Sequence, residues 1–443
     1  MNTNSSIEVV HDMKMTRMRN GWTAGRRCCA VALVSAAGFS ASCRIVDDVL
    51  DVDAPTQVPA SELENPAHAQ LIINGVIGDF DCALGSYIVA GGLLSDELHD
   101  GTFTAARWPV PSRNLSGTET YGTNGCTTLG VYTPLSTARW SADDALRKLD
   151  GWTDAEVADR QQKIGVAAAY SGFAHMLLGE GMCTVAFDMS PELQPADAFT
   201  RAEERFTRAI EAATTANDAA TLNMARIGRA RTRRNLGNLA GAAADAALVP
   251  AGFAKTSARS DNDTRTRNRV AVESPWSNGS GTAGAGTSVK ETFRDLMVDG
   301  VADPRVSVTN MNSKTGDAIT DNWRQNKYQG PAVAIPLARY AEAQLIIAEH
   351  EGGQAAVDII NTLRAVHSLP AFSSSSEAEI QAQIREERRR ELFLEGHRLG
   401  DTRLYNTALF PAPGEAYNKG GTYGEARCFP LPAVERRNNP NIT

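Results

Sequence analysis

Carboxylate and guanidinium groups alternate over one short stretch near the end of the chain, and this stretch has the clearest capacity for chemistry. From Ile384 to Asp401 the order is Ile-Arg-Glu-Glu-Arg-Arg-Arg-Glu-Leu-Phe-Leu-Glu-Gly-His-Arg-Leu-Gly-Asp. Glu387, Glu391 and Glu395 recur every four residues, so they share one side of a helix. Such groups can form ion pairs, and two carboxylates roughly 5–10 Å apart can act as the acid and base of a glycoside hydrolase.

The element that must position these groups is a helix. The polar run Ser373–Ser376 offers N-cap residues, and Glu377 suits a first helical turn. Gly396 stands where a glycine that ends a helix belongs. The apolar positions keep a rough helical period at Ile380, Ile384, Leu392 and Leu399.

Two interpretations of this charged helix are open. Charges along a helix usually form a solvent-exposed face. The alternative is a network buried against other helices, in which an arginine fork holds each carboxylate. The apolar triplet at 392–394 favours burial, and Glu391 and Glu395 should then have lowered pKa values, which argues against catalysis. We therefore predict a structural charge network of Glu387, Arg388, Glu391, Glu395, Arg398 and Asp401.

The pattern Glu-Arg-x-x-Glu-Leu-x-x-Glu-Gly-x-Arg-x-x-Asp, which spans 387–401, resembles the C-terminal signature helix of the RagB/SusD family. Its members are outer-membrane lipoproteins that bind nutrients for a TonB-dependent transporter. A second block, from Arg339 to Arg364, is similar to the last tetratricopeptide pair of the family. A third block, Phe429–Pro440, is close to the family's ending, and Asp303-Pro304-Arg305 is a weaker match.

The resemblance covers mainly residues 134–250 and 330–443, and it implies a mainly α protein of tetratricopeptide-like helix hairpins with long irregular loops. It implies a lipid-anchored, surface-exposed protein of the outer membrane that binds an oligosaccharide or a peptide. The ligand would pass to a SusC-like, TonB-dependent transporter, without chemistry, catalytic residues or a cofactor. The alternatives are a periplasmic tetratricopeptide-type scaffold and a glycoside hydrolase that uses Asp96 with Glu97, or Glu391 with Glu395.

The composition of the chain limits which classes of protein and partner are possible. A chain of 443 residues with 42% hydrophobic residues has ample apolar content for a core. Acidic residues exceed basic ones by 52 to 44, and the formal net charge is −8. Because no sustained basic stripe is present, nucleic acid is not an expected partner.

The N-terminus is predicted to be a lipoprotein signal peptide. A basic region precedes a short apolar run, Cys28–Phe39, which is too short to span a membrane because a spanning helix needs about 20 apolar residues. Ser40-Ala41-Ser42-Cys43 then resembles a bacterial lipobox, which makes Cys43 the predicted lipid anchor. A plain secretory signal is the alternative, since Ser40 stands where leucine is usual. We predict a signal peptide over 1–42 and a tether over 43–66.

Export makes the cysteines candidates for disulfides. With Cys43 lipidated, four cysteines remain after cleavage, and they allow three pairings. We favour Cys82 with Cys126, because a loop-rich segment separates them and a crosslink would restrain it. Cys183 with Cys428 is then the remaining pair. A zinc site is the competing interpretation, but no Cys-x-x-Cys pair or histidine cluster supports it, so no metal is predicted.

Domain organisation follows from spacing and composition. Apolar and small residues at helical spacing predict tetratricopeptide-like helices over 134–250 and 336–367, where alanine and glycine let neighbouring helices approach. The polar and glycine-rich stretch 254–290 is predicted to be a flexible insertion. Residues 377–443 form the C-terminal signature region, and all of these segments belong to one predicted domain over 67–443.

Aromatic side chains in loops suit stacking against sugar rings. The candidates, chosen for loop placement alone, are Trp108, Tyr121, Trp276, Trp323 and Tyr328. Each of them could equally be a packing residue. The acids Asp96, Glu97 and Asp100 with His99 could bind a metal, but without a second histidine nearby a loop is the simpler interpretation.

Overall fold

Helices make up most of the fold, because apolar and small residues recur at helical spacing over long stretches. The structure, a computed structural model, describes residues 62–274 and 286–442. The first six helices are α1 (Ala69–Leu94), α2 (Tyr132–Gly151), α3 (Arg160–Gly181), α4 (Pro195–Thr215), α5 (Ala219–Asn235) and α6 (Leu239–Ala246). The later ones are α7 (Arg269–Glu273), α8 (Tyr340–Glu351), α9 (Gly353–Val366), α10 (Glu377–Glu391), α11 (Arg398–Leu404) and α12 (Ala433–Asn438).

Some predictions concern residues outside those ranges. They are the signal peptide over 1–42, the lipid anchor Cys43, the tether up to residue 61, and the aromatic candidate Trp276. All four stay predictions.

Short strands pair in four antiparallel, two-stranded sheets within the described ranges. The strands are β1 (Leu98–Asp100), β2 (Ala254–Ser257), β3 (Thr287–Val289), β4 (Met297–Val298), β5 (Val301–Ala302), β6 (Val308–Lys314), β7 (Asp321–Gln325) and β8 (Ile335–Arg339). β1 pairs with β3, β2 with β8, β4 with β5, and β6 with β7. Two of these pairs join segments distant in sequence, so they tie loops to the helical body.

The helix α1 lies in the core. Phe80 and Tyr87 are fully buried on it, and the ring of Phe80 meets that of Tyr170 on α3 edge-on, with centroids 5.2 Å apart. Among the described helices, α1 alone is long and apolar enough to cross a membrane by length and composition. However, 67% of its most apolar window is buried inside the protein, which is the environment of a core helix.

The helices α2 to α6 pack as consecutive neighbours, and small residues permit the close approach. Phe206 on α4 is fully buried and meets Phe173 of α3 edge-on, with centroids 4.9 Å apart. A Cβ atom added at Gly172 or Gly228 would lie within 3 Å of the Phe206 ring. Glycine at these two positions therefore allows α3 and α5 to close around α4, as the tetratricopeptide-like pattern predicted.

The signature helix ends earlier than predicted. Ser376 caps α10 by accepting from the backbone N–H of Glu379, but the helix ends at Glu391 rather than near Gly396. A turn follows, and Gly396 supplies its left-handed backbone with φ +83°. The turn buries Phe393, whose ring stacks on Phe293 with centroids 5.0 Å apart. Burial of the apolar triplet explains the early end, because a continued helix would place its three side chains on different faces.

Residues 254–290 differ from the predicted flexible insertion wherever the structure describes them. β2 pairs with β8, which precedes α8, and β3 pairs with β1. The short helix α7 lies between β2 and β3, and Asn268 caps it by accepting from the N–H groups of Val270 and Ala271. The described parts of this segment therefore belong to the helical body.

Two disulfides are present, with the pairings that the sequence favoured. Cys82 of α1 is bonded to Cys126, and Cys183 is bonded to Cys428. Next to the second bond, the Cys183 N–H donates to the backbone oxygen of Phe429 at 2.8 Å. The crosslink thus fastens the C-terminal segment to the end of α3.

We expect that replacing Cys183 and Cys428 together with alanine lowers the free energy of unfolding by about 2–4 kcal/mol, because the bond limits a long loop of the unfolded chain. Urea unfolding of the oxidised proteins measures the difference. As a control, a variant that lacks all four cysteines should be insensitive to a reductant, whereas the wild type should lose stability. Equal midpoints for the wild type and the Cys183/Cys428 variant would contradict the expectation.

Candidate functional site

Three loops that are distant in sequence meet at one part of the surface. They are residues 99–108, 315–320 and 417–420, and we call them the loop face. The ammonium group of Lys419 holds them together. It donates to the backbone oxygens of Asp100 at 2.7 Å and Thr102 at 2.9 Å, and it pairs with the Asp317 carboxylate at 3.0 Å.

The Asp317 turn explains how the second of these loops reaches the first. The Asp317 carboxylate accepts from the backbone N–H groups of Ile319 and Thr320, both at 2.9 Å, which is the local bonding that aspartate favours in turns. The Asp317 N–H donates to the backbone oxygen of Gly101 at 2.8 Å. Burial would raise the pKa of Asp317, but the hydrogen bonds from Thr320 and Ile319 hold it well below its usual range.

The loop face exposes apolar and aromatic surface. Phe103 is 66% exposed and Ile319 is 46% exposed. Trp108 is half-buried, its indole N–H donates to the Thr102 oxygen at 3.1 Å, and the Lys419 ammonium lies 5.8 Å from its ring centroid. The indole is therefore held in one orientation while part of it faces solvent. Phe103 is not among the predicted candidates, because that prediction rests on tryptophan and tyrosine, although Phe103 lies in the same loop as Trp108.

Two aromatic candidates are corrected by the structure, because both are buried. Tyr121 packs on Phe429 with ring centroids 4.9 Å apart, and its hydroxyl donates to the Pro430 oxygen at 2.6 Å. The hydroxyl of Tyr328 donates to the Leu394 oxygen at 3.1 Å. Both rings are packing residues, so neither offers a face to a ligand.

Trp323 also differs from its prediction as a loop residue. It lies in β7, where it is half-buried, and the guanidinium of Arg294 covers its ring at 5.0 Å from the centroid. A ligand would have to displace that arginine in order to stack on this side of the indole. Trp323 therefore remains a weaker candidate than Trp108.

A buried charge network surrounds α10. Glu387 is fully buried and pairs with Arg305 at 2.5 Å and with Arg364 at 2.7 Å. Glu391 pairs with Arg339 at 2.7 Å and with Arg305 at 3.4 Å. The partners come from outside the helix, so α10 is packed into the protein instead of presenting these charges to solvent.

The other signature residues join α10 to α11 and to the first half of the chain. Arg388 pairs with Asp401 at 3.1 Å, and Arg234 of α5 pairs with the same carboxylate at 2.9 Å. Arg398 donates to both carboxylate oxygens of Asp96 at 2.6 Å. Burial would raise the pKa of Asp401, but Arg388 and Arg234 lower it to about 2. All six predicted network residues are buried.

A cavity of about 560 Å³ opens beside the network, and Glu391 and Glu395 line it. Burial would raise the pKa of Glu391, but His367 and Arg339 hold it well below its usual range. Glu395 pairs with Lys327 at 2.6 Å. A general acid needs a raised pKa, so Glu391 lacks the electrostatics that the acid of a hydrolase requires.

Sequence reasoning missed the partners of the network. Arg305 lies in the one-turn helix Pro304–Val306, and Asp303 caps that turn while pairing with Arg305 at 2.8 Å. The weak family match at 303–305 was the signal that could have identified it. Arg339 and Arg364 begin and end the second family-like block, but that match does not indicate which carboxylate each arginine pairs with.

The acids and histidine at 96–100 point to separate partners instead of converging on a metal. His99 meets Glu291 at 2.8 Å, and Asp100 belongs to the loop face. Glu97 is buried and accepts from the Leu394 N–H at 2.8 Å. Burial raises the pKa of Glu97 to about 7, but the carboxyl group is turned into the core and cannot serve as an acid for an external substrate.

Replacing Glu97 with glutamine is expected to flatten the pH dependence of stability. The pKa of Glu97 is raised from 4.5 to about 7, so the folded state keeps a proton that the unfolded state releases between these values. The wild type should therefore lose about 3 kcal/mol as the pH rises through this window, and the variant should not. Urea unfolding across the window compares the two proteins. Parallel stability curves would show that Glu97 titrates normally.

Comparisons with known proteins agree with this architecture. A model of the SusD family matches residues 211–443. A SusD superfamily protein from Bacteroides vulgatus shares 16% identity with a TM-score of 0.64, over 86% of this chain and 98% of that one. A SusD-like carbohydrate binding protein from the same organism shares 16% identity with a TM-score of 0.64, over 85% of this chain and 97% of that one.

Surface glycan-binding protein A from Bacteroides fluxus is similar as well, with 16% identity and a TM-score of 0.63 over 83% of this chain and 96% of that one. At such low identity these structures show the fold, and they confirm the prediction of a mainly α, SusD-like protein. No curated protein matches the chain.

Proposed function

The chain belongs to the SusD family, and from this premise we propose that it is a non-catalytic lipoprotein that binds an oligosaccharide. In this proposal Cys43 carries the lipid that anchors it to the surface of the outer membrane. The bound oligosaccharide passes to a SusC-like, TonB-dependent transporter. A peptide ligand is the alternative within the same function.

The observation that carries the proposal is the loop face. Aromatic rings bind sugars through the C–H faces of the pyranose ring, and polar groups beside them fix the orientation. Phe103 and Trp108 supply the rings, and Thr104 and Asn418 are exposed polar neighbours on the same loops. Because Lys419 already fixes the loops, ordering them on binding costs little entropy. Two of the similar structures are described as carbohydrate- or glycan-binding, which supports the same ligand class.

Binding without turnover is the second part of the proposal. Glu391 and Glu395 face a cavity, but cations already neutralise both, and Asp96 and Glu97 are buried. The pKa of Glu391 is lowered, and Glu97, whose pKa is raised, is enclosed in the core.

A soluble form that begins at Asp47 tests the proposal by calorimetry against panels of glycans and peptides, with hydrolysis followed in the same samples. Binding of an oligosaccharide without turnover is the expected result. Turnover that Glu391→Gln abolishes would establish a hydrolase instead. If no ligand binds and protease treatment of intact cells leaves the protein uncut, the periplasmic scaffold becomes the better explanation.

Replacing Phe103 or Trp108 with alanine is expected to weaken binding of the identified glycan by about tenfold each, because each substitution removes one stacking surface. Titration calorimetry measures the change. The matched control is Trp140→Ala, since Trp140 is an exposed aromatic residue on α2, outside the loop face. If the Trp140 variant loses as much affinity as the other two, the loop face is not the binding site.

A further inference from the structure

We propose that the loop face takes a neutral oligosaccharide, one without carboxylate, sulfate or phosphate groups. This inference rests on the proposed function and adds the class of glycan. It follows from the positions of the charged side chains of the loop face and from the partners with which they pair.

The acidic and basic side chains of the loop face all have partners within the protein. They are His99, Asp100, Arg107, Asp317 and Lys419. His99 meets Glu291, Asp100 meets Lys419 and Arg107, and Lys419 also meets Asp317. Arg107 pairs with Glu273 as well, at 2.9 Å. No charged group of these three loops is left to receive a charged ligand.

The two cations that could receive an anionic sugar are enclosed by carboxylates. Lys419 lies between Asp100 and Asp317, at 2.8 Å and 3.0 Å, and the side chains of all three are almost completely buried. Arg107 lies between Asp100 and Glu273, at 2.8 Å and 2.9 Å. Three carboxylates thus surround two cations. An anionic ligand would have to displace a buried carboxylate and strand its charge, which is costly.

The surface that remains available is uncharged. The exposed residues of the loop face are Phe103, Thr104, Ala105, Ala106, Ala318, Ile319, Asn418 and Gly420. Rings, methyl groups, a hydroxyl and an amide match the C–H faces and hydroxyl groups of a neutral sugar. They offer nothing that would repay the desolvation of a uronate or a sulfate.

Affinity electrophoresis in gels that contain neutral or acidic polysaccharides tests the inference, at about 50 mM and about 300 mM salt. We expect retention by a neutral polysaccharide, with less than a twofold change between the two salt concentrations. Salt-sensitive retention by an acidic polysaccharide would overturn the neutral class while leaving glycan binding intact. Absence of retention in every gel would overturn both the proposed function and the inference.

A variant that adds one free cation makes the test independent of which neutral glycan is found. Thr104→Lys places an unpaired ammonium on the loop face, and it is expected to create salt-sensitive retention by acidic polysaccharides that the wild type lacks. Val366→Lys is the matched control, because Val366 is 74% exposed on α9, outside the loop face. If the wild type is retained by acidic polysaccharides as strongly as Thr104→Lys, the inference is wrong.

Discussion

Replacing Glu391 with alanine is expected to lower the free energy of unfolding by about 3–5 kcal/mol. The carboxylate is buried and pairs with Arg339 at 2.7 Å and with Arg305 at 3.4 Å, and His367 lies 3.4 Å away. Its removal leaves Glu395 as the remaining carboxylate partner of Arg339, and it removes one of the carboxylates that pair with Arg305. The cost comes mainly from guanidinium charge that is left partly unpaired, above all at Arg305, whose side chain is 2% exposed.

Urea unfolding of the wild type and the variant measures this loss. Glu386→Ala is the matched control, because Glu386 lies on the same helix and also pairs with two arginines, Arg389 and Arg390, but its side chain is 30% exposed. Its loss should cost no more than about 1 kcal/mol. Equal losses for the two variants would show that burial does not set the strength of these pairs.

The Glu391→Gln variant distinguishes the contribution that the charge of Glu391 makes to stability from the contribution of its shape. The amide fills the same space but cannot neutralise Arg339, so we expect it to lose most of the stability that the alanine variant loses. If glutamine restores the wild-type stability, then packing rather than charge explains the role of Glu391.

Much of the fold could be predicted because patterns between residues close in sequence specify its helices. The hairpins over 134–250 follow from apolar and small residues at helical spacing, and close packing at Gly172 and Gly228 agrees with that pattern. The end of the signature helix could not be predicted in the same way. Gly396 does adopt a left-handed backbone, but α10 ends earlier, at Glu391, because Phe393 has to reach a partner on a distant segment.

The site was harder to predict than the fold, because burial depends on contacts between distant segments. Tyr121 and Trp108 looked equivalent in the sequence, since both lie in polar, irregular stretches. Only Tyr121 packs against Phe429, and no local feature indicates that contact. The network shows the same limit. Its carboxylates follow a recognisable spacing, whereas partners such as Arg305 and Arg339 lie in separate segments, and the sequence does not indicate which carboxylate each of them meets.

Lys419→Met is expected to weaken glycan binding by at least about a hundredfold, while the helical body stays folded. The ammonium joins the three loops through Asp100, Thr102 and Asp317, and methionine has a similar length without the charge. Its loss leaves the fully buried Asp317 carboxylate without a cation and the fully buried Asp100 carboxylate with Arg107 alone, which costs about 3–5 kcal/mol if the loops stay closed. Opening the loops to water relieves that cost. However, the opening moves the rings of Phe103 and Trp108 out of the arrangement that binds the glycan.

Calorimetry with the identified glycan measures the affinity, and far-ultraviolet circular dichroism checks the helices. Adding Asp317→Asn to Lys419→Met removes the charge that is left without a cation, so the double variant should regain part of the lost affinity. A role for Lys419 in direct contact with the sugar predicts no such recovery, because the second substitution cannot restore the ammonium group. Wild-type affinity in Lys419→Met would show that the loops hold their positions without it, and the preorganisation on which the loop face depends would then have another source.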